Sequence, residues 1–545
     1  MAKIAEKYDV VIVGAGPTGV TCANYFGLMG LSTLIVDREA DILDIPRAIG
    51  LDEEGSRVLQ SIGLLKEYSK DLLRIEVGKM TSPYTGTFVQ VNLNEWLNGH
   101  PRLSTMKQPD LERVLRNGLK RFPHVTLATS TEMESFSDDG ATVTLDLCSS
   151  NSSNDKRFQV QTKYMLACDG ARSPVREKLG ITMRGKTYGD DWIVIDALKD
   201  PKPDRCAEFV CDPRRASVTL PAPHGGRRWE FTLLPGESHE EVLSDETIQE
   251  LLKDWGDIKD MDIERKVVYT FNARIATQFK EGNVFLLGDA AHLTPPFAGQ
   301  GLMAALRDAN NLCWKIGMVV KGKADKRLLD SYQLERKKNV RNMIRAAVVM
   351  GMFIMPRNKL TAYIRDAFFG LLNLIPPIKR NLSNLSMKPV NAFQDGYFIK
   401  SKNFGGLVAG DTHPQELMQL ENGEQEMLDD TIGLNWAIIG FGFDPSNYLA
   451  EGQSSKWKAW EGKIIHLEEP GTNFTDSNPK TLRLVDIEGA FKGIAGTDMC
   501  LVVRPDRHIA CMVPAHELGR NLDKYLQMGI NHSIRFESTS ALKLA

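Results

Sequence analysis

What this chain of 545 residues has little of narrows its chemistry first. Neither sign of charge dominates: 67 Lys and Arg stand against 70 Asp and Glu, a formal net charge of −3, which gives no general electrostatic reason to bind nucleic acid or an anionic membrane. The expected partner is a small molecule. Eight cysteines (22, 148, 168, 206, 211, 313, 500, 511) are scattered without a CxxC pair, which argues against a disulfide framework or a zinc site, and no metal is expected. They read as reduced, mostly buried thiols. No apolar run reaches the ~20 residues a bilayer requires; the longest charge-free stretch near the middle, "AAVVMGMFIMP", stops at Pro356. The N-terminus runs at once into the strand-like "YDVVIVGAG", with a glycine turn where a signal peptide would place its cleavage site. A cytoplasmic protein with no membrane span is the expectation.

What is present begins with length, enough for two or three domains. Residues 9 to 37 read strand, glycine turn, helix, strand, a βαβ unit of about the usual ~30 residues. From about 75 to 105 and again from about 180 to 270 the pattern changes to alternating strands such as "RASVTLP" and "RRWEFTLLP", which predict one antiparallel sheet reached twice. Between them lie the helical "PDLERVLRNGLKRF", the strands "VTLATSTEMESF" and "ATVTLDLC", a polar loop "SSNSSNDK" that reads as a hairpin tip, and the strand "YMLACDG". Short strands and helices fill the chain from about 390 to its end, and before them, after one short strand past residue 284, long helical patterns run to about 400. There the apolar "AFFGLLNLIPPI" reads first as a helix packed on the body, with a membrane-surface or homodimer patch as the alternative.

Three motifs carry chemistry. "GAGPTG" (Gly14, Ala15, Gly16, Pro17, Thr18, Gly19) follows an apolar strand and opens a helix. Its first glycine permits a tight turn, its second lets backbone approach a pyrophosphate, and its third allows close helix–strand packing. Asp37 ends the second strand where an acid meets ribose hydroxyls, with Arg38 beside it. The second motif is "ACDGARSPVREKLG", where Asp169 and Gly170 follow a strand and Ser173 opens a helix. In the third, "FLLGDAAHLTPPFAGQGLM", Gly288 and Asp289 break a strand and a helix starts near Gly301. Together the three favour FAD over other dinucleotides. His292 in "DAAH" reads as a structural or helix-capping imidazole in preference to a catalytic one.

On these motifs, and on "PRAIGLDEEGSRVLQSIGL", "CDPRRASVTLPAPHGGRRWEFTLLPGE", "YTFNARIA", "LLDSYQLERK" and "VVRPDRHIA", the chain resembles the class A FAD-dependent aromatic hydroxylases over nearly its whole length, most of all the bacterial 3-(3-hydroxyphenyl)propionate hydroxylases. The resemblance implies an α/β protein: a Rossmann-like FAD-binding domain (1–75, 106–180, 270–390 with a helical extension), an inserted antiparallel β-sheet substrate domain (76–105, 181–269) and a thioredoxin-like C-terminal domain (391–545). It implies that Asp289 contacts the ribityl chain of FAD, that Arg47 and Gln108 lie beside its phosphates or ribityl chain, and that Asp169 serves both FAD and the nicotinamide cofactor. It places Pro296, Gly299 and the backbone amides of Gly301, Leu302 and Met303 along the flavin, where a helix N-terminus suits the negative charge of its reduced form. Many relatives have Asn where Met303 stands, so only a backbone contact is expected there.

The implied reaction takes a hydride from NADH or NADPH onto FAD, after which O2 forms a C4a-hydroperoxide that hydroxylates a phenolic acid ortho to its hydroxyl. Asp52 is the candidate base, with an exposed acid at a helix start as the plain alternative. Trp192, Val194, Val218, Leu220 and Trp229 are the candidate pocket lining, half of such an alternating set being expected to face elsewhere. Arg214 or Arg215 is placed either on a substrate carboxylate or in a solvated turn. Two rival functions stay open: the same chemistry on a quinolone or hydroxypyridine, and a flavin-binding sensor or scaffold without turnover.

Overall fold

Strands Lys7–Val13 and Thr33–Val36 are apolar on both faces and largely buried, as central strands of a parallel sheet must be. Between them runs the helix Pro17–Met29, opened by Pro17 and closed by left-handed Gly30. The structure, a computed structural model, describes residues 4–45, 47–150, 156–356, 358–383, 391–471 and 478–530. The tip of the expected hairpin loop, 151–155, lies outside them.

Five strands run parallel in the order Val125–Ala128, Thr33–Val36, Lys7–Val13, Lys156–Ala167, Val284–Leu286. Lys156–Ala167 is long enough to do two things: its second half joins this parallel array, and its first half pairs antiparallel with Val143–Ser149, which pairs with Thr131–Asp138. The carboxyl ends of four parallel strands lead into Gly14, Asp37, Asp169 and Asp289 in turn. All three sequence motifs therefore meet at one edge, the ligand edge of an open α/β sheet.

The second sheet has eight strands, in the order His292–Leu293, Ile263–Ala276, Met183–Ala197, Arg227–Thr232, Ser217–Pro221, Cys206–Val210, Val77–Ser82, Gly86–Asn92. It is indeed reached twice, but it is not wholly antiparallel: Cys206–Val210 and Val77–Ser82 run parallel. The chain re-enters the sheet through a long excursion, and only a hairpin connection would oblige neighbours to be antiparallel. One face of this sheet carries Trp192, Val218, Phe88 and Phe271 against Phe297, Ile354 and Phe369. The opposite face packs Ile193, Ile195, Trp229 and Phe231 on the helix Asp245–Leu252.

The chain divides into two compact units, Met1–Cys313 with Arg336–Asn391, and Trp314–Glu335 with Ala392–Ala545. In the second, strands Leu482–Asp486, Lys463–Glu468 and Ala437–Phe441 run parallel, the last continuing antiparallel through Met499–Val503 to Ile509–Pro514. With helices Glu451–Ala459 and Leu518–Ile530 this is a thioredoxin-like arrangement. Cys500 and Cys511 are distant in sequence but diagonal neighbours on paired strands, since Cys500 faces Val513 and Val502 faces Cys511. Both are free thiols, and burial pushes each up to about 12.

Candidate active site

The glycine loop is built by contact. Gly14 has φ of +103°, and a Cβ there would lie 2.3 Å from the Cys168 carbonyl oxygen; one on Gly19 would lie 2.0 Å from that of Gly14. Over Gly16 there is open space, and the helix it caps has no side-chain cap. The first turn is therefore left with unsatisfied N–H groups facing a cradle. Asp37 holds the loop: its carboxylate accepts from Ala15 N at 2.6 Å and Glu39 N at 2.9 Å. Arg38 stands 71% exposed, bonded to Glu39. Arg116, which sequence reasoning missed, donates to the Ala15 carbonyl, and its Nε is buried without a partner among the described residues.

The other two motifs meet this loop. Gly288, at φ of +58°, lets its backbone approach Thr18 so closely that a Cβ would lie 2.8 Å from the threonine hydroxyl. Arg176 joins the DG and GD motifs by donating to the carbonyls of Ala290 and Ala171. Asp169 accepts from Val175 N, while its Oδ1 is buried with no partner among the described residues. Asp289 is open to solvent in its own right yet surrounded by protein atoms, the position of a group at the floor of a cleft; that environment raises its pKa, and no hydrogen bond offsets the rise. His292 is structural. It is buried and bonded to Asp308 at 2.7 Å, and Asp308 also takes Gly288 N and Arg336. Gly299, at φ of +62°, and Gly301 have open space where a Cβ would stand, Pro296 precedes them, and Leu302 and Met303 lie in the first turn of Gln300–Val320. Met303 turns its side chain onto Gly55, which leaves only its backbone for the cleft.

Arg47 and Gln108 come together, but with different duties. Gln108 is buried and spent on protein groups, accepting from Ala48 N at 2.9 Å and donating to Glu112 at 2.8 Å. It fixes the Arg47 loop. Arg47 itself is 44% exposed, 3.8 Å from Glu112, and its field lowers the raised pKa of Asp289. Its carbonyl accepts from Arg228, which also grips Asp196 at 2.6 and 3.0 Å.

The substrate-sheet face sorts the remaining candidates. Trp192 stacks on Phe271 at 5.5 Å and meets the edge of Phe297 at 5.7 Å, and its indole N–H is buried without a partner among the described residues. Val218 and Leu220 lie in the same cluster, and Val194 continues that face by the period of two. Trp229 does not. It sits opposite Ile195, so it points to the other side of the sheet and packs on Trp255 at 5.5 Å. Asp52 is neither exposed nor open to a ring: it is 4% exposed, caps the helix Glu53–Ser61 through Gly55 N, and takes Gln300 and Arg307 at 3.2 Å each, because the buried Arg307 guanidinium needs a counter-charge. Arg214 and Arg215 are engaged by Asp212 and Glu237. Missed by sequence reasoning is Glu230, which faces Val218 and Val194 across the ladders. Burial raises its pKa, and the Arg228 guanidinium, 3.9 Å away, is already held by Asp196.

Comparison with known proteins decides what this cleft is for. Residues 7–347 match the family described as an FAD binding domain, and residues 410–528 match the HcaD C-terminal domain. Over 524 residues the chain is 36% identical to the 3-(3-hydroxy-phenyl)propionate/3-hydroxycinnamic acid hydroxylase of Klebsiella pneumoniae, covering 95% of this chain and 94% of that one. The protein of the same name from Escherichia coli is 35% identical over 526 residues, 96% and 94% of the two chains. The chain belongs to the FAD-dependent aromatic hydroxylases. Two solved structures share the hydroxylase fold: aklavinone-11 hydroxylase with FAD and aklavinone (TM-score 0.75, 22% identity, 96% of this chain and 99% of that one) and the OxyS anhydrotetracycline hydroxylase from Streptomyces rimosus (TM-score 0.74, 22% identity, the same coverage). FAD is the cofactor of this flavoprotein monooxygenase, and NAD(P)H and O2 are the usual co-substrates of the class. The hydroxylase's own cleft fits such a group, with open space over Gly16, Gly299 and Gly301 and unspent acceptors on Asp289 and Asp169.

Proposed function

We propose that this hydroxylase adds a hydroxyl ortho to that of a phenolic aromatic acid such as 3-(3-hydroxyphenyl)propionate, giving a catechol. The observation that carries the substrate class is the 36% identity, spread over 95% of the chain, to a hydroxylase named for that acid. In this reading the amides at the start of Pro17–Met29 and the Arg116 guanidinium hold the pyrophosphate, Asp37 the adenosine ribose and Asp289 the ribityl hydroxyls. Arg47 neutralises phosphate charge, Gln108 and Arg228 set its loop, and the first turn of Gln300–Val320 faces the flavin. Asp169 lies on the path of the nicotinamide cofactor. FAD, once bound, supplies hydride acceptance from NAD(P)H and activation of O2.

The chain's own task is to hold the ring and take its proton. Trp192, Phe271 and Phe297 form an aromatic wall that excludes water, with the free indole N–H of Trp192 as a donor toward the substrate. Glu230 replaces Asp52 as the proposed base. A carboxyl with a raised pKa is better matched to removing a phenolic proton near neutral pH than an ordinary one, and removing that proton makes the ring electron-rich. The test is NADH and NADPH oxidation with product analysis: 3-(3-hydroxyphenyl)propionate stimulates oxidation and becomes the 2,3-dihydroxy acid. Failure with this acid and success with a quinolone would transfer the proposal to heteroaromatics. Glu230→Gln is expected to lower kcat about 100-fold at neutral pH and to move the rise in activity to higher pH, toward the ionisation of the free phenol.

A further inference from the structure

The helix Lys359–Asn373 is amphipathic the wrong way round for a protein surface in water. Its inner face carries an ion pair: Arg365 and Asp366 are buried, Asp366 takes Ser82 and Thr85 hydroxyls, and Arg365 covers the Phe88 ring at 4.8 Å. Phe369 packs beside them, 5.4 Å from Phe88 and 5.3 Å from Phe353. The outer face carries Leu360, Ile364, Phe368 and Leu371, continued by Leu374 and Ile375, each between 47 and 77% exposed. That spacing of three and four is one continuous stripe, with Met352 exposed at the end of the preceding helix. Such a contiguous patch marks a surface that something covers.

The charge around the stripe says what covers it. Residues 336–391 hold eleven Lys and Arg and a single acid, Asp366, in a chain whose net charge is −3. That acid is buried and paired with Arg365, and Arg336 is buried on Asp308, so the charges that the described part of this segment turns to solvent are all basic. Arg345, Lys359, Lys379 and Arg380 are exposed and have no carboxylate partner among the described residues. A second copy would bring two such segments face to face, and their repulsion works against a homodimer here. An anionic lipid surface takes both features, apolar side chains below the headgroups and bases among them. No described helix is long and apolar enough to cross a membrane, so the fit is to lying on the bilayer.

We propose that the stripe on Lys359–Asn373, continued through Ile375 and flanked by these bases, docks this enzyme on an anionic lipid surface. The inner face of the same helix is a wall of the aromatic cluster that contains Trp192, Phe271 and Phe297. Docking therefore sets the substrate chamber one helix thickness, ~10 Å, from the lipid, and an aromatic substrate partitioned into the interface reaches it directly. This last step rests on the chamber's assignment under the proposed function; the docking itself does not.

Sedimentation of the full-length holoenzyme with vesicles of phosphatidylcholine containing about one-third phosphatidylglycerol tests it. The protein is expected to bind these vesicles, to bind pure phosphatidylcholine about tenfold or more weakly, and to dissociate as salt rises. Combining Leu360→Ser, Ile364→Ser, Leu371→Ser and Leu374→Ser should abolish binding while leaving the circular dichroism and flavin content unchanged. Lys379→Glu with Arg380→Glu should remove the preference for anionic lipid. Wild-type protein that stays in solution, or a quadruple variant that binds as tightly as wild type, overturns the proposal. A wild-type dimer that ignores vesicles and is split by the quadruple variant also overturns it, in favour of a second copy.

Discussion

The edge of the parallel sheet and the ionic core of the C-terminal unit both crowd carboxylates with protein atoms and treat them in opposite ways. In the C-terminal unit every oxygen of Glu335 is used: Lys315 at 2.6 Å, Arg504 at 2.8 and 2.9 Å, and the Tyr397 N–H at 2.7 Å. These cations hold Glu335 at about 2, against burial, which would raise it. At the sheet edge, among the described residues, Asp289 takes no hydrogen bond and Asp169 leaves one oxygen unpartnered, and desolvation by the surrounding protein raises both. Finished networks hold a fold together. Unfinished ones at the end of a strand are reserved for a ligand that brings the missing donors.

Breaking the finished network should cost most. Glu335→Ala removes the anion that Lys315 and Arg504 share and is expected to destabilise the protein by about 3–5 kcal/mol in urea unfolding. Because the folded pKa of Glu335 lies below its ordinary 4.5, the unfolded chain binds the extra proton between about 4.5 and 2. Its stabilisation is complete above that window and is lost as pH falls through it, a loss that Glu335→Gln should flatten. Asp289→Ala should do the reverse: FAD affinity falls about 10- to 100-fold, ~1–3 kcal/mol, while the apoprotein melts no earlier than wild type. Flavin fluorescence titration and a melting curve of each apoprotein separate the two outcomes.

A third carboxylate sharpens the contrast because it has neither a cation nor a ligand role. Burial and the neighbouring Glu488 raise Glu416 to about 7. Here the folded chain holds the extra proton between about 4.5 and 7, so this contribution to stability is present at low pH and declines as pH rises to 7. Glu416→Gln should raise the melting temperature at pH 8 by about 1–2 °C and leave it unchanged at pH 5. The thiol pair is expected to have the least effect. Cys500→Ser with Cys511→Ser should leave turnover unchanged, since both thiols are protonated and buried in one unit's core.

The cofactor edge was legible because its requirements are local. Glycine alone suits the φ of Gly14 and the close approach of Gly288 to Thr18, and an acid that ends an apolar strand announces itself within a few residues. What stayed hidden depends on register and on partners far along the chain. Trp229 reads like Trp192 until the ladder shows it opposite Ile195. Asp52 looks like a surface acid until Arg307, 255 positions later, closes on it. Arg228, Arg176 and Arg116 act through backbone carbonyls, which leave no trace in composition. The basic character of residues 336–391 was masked by averaging, for a chain close to neutral overall conceals one strongly positive segment.

The single parallel ladder in the second sheet has a consequence for how the chain is made. The hairpin Val77–Asn92 leaves the ribosome early, but the strand that completes it begins at Cys206, paired with Val77, and the intervening chain must first build much of another domain. At about 5–20 residues per second that is a wait of roughly 6–23 s with an unpaired edge in water. An open edge is a template for foreign strands. Synthesis slowed between residues 92 and 206 should therefore lower the yield of native enzyme more than an equal delay after the last strand of that sheet, and a chaperone that shields strand edges should restore it.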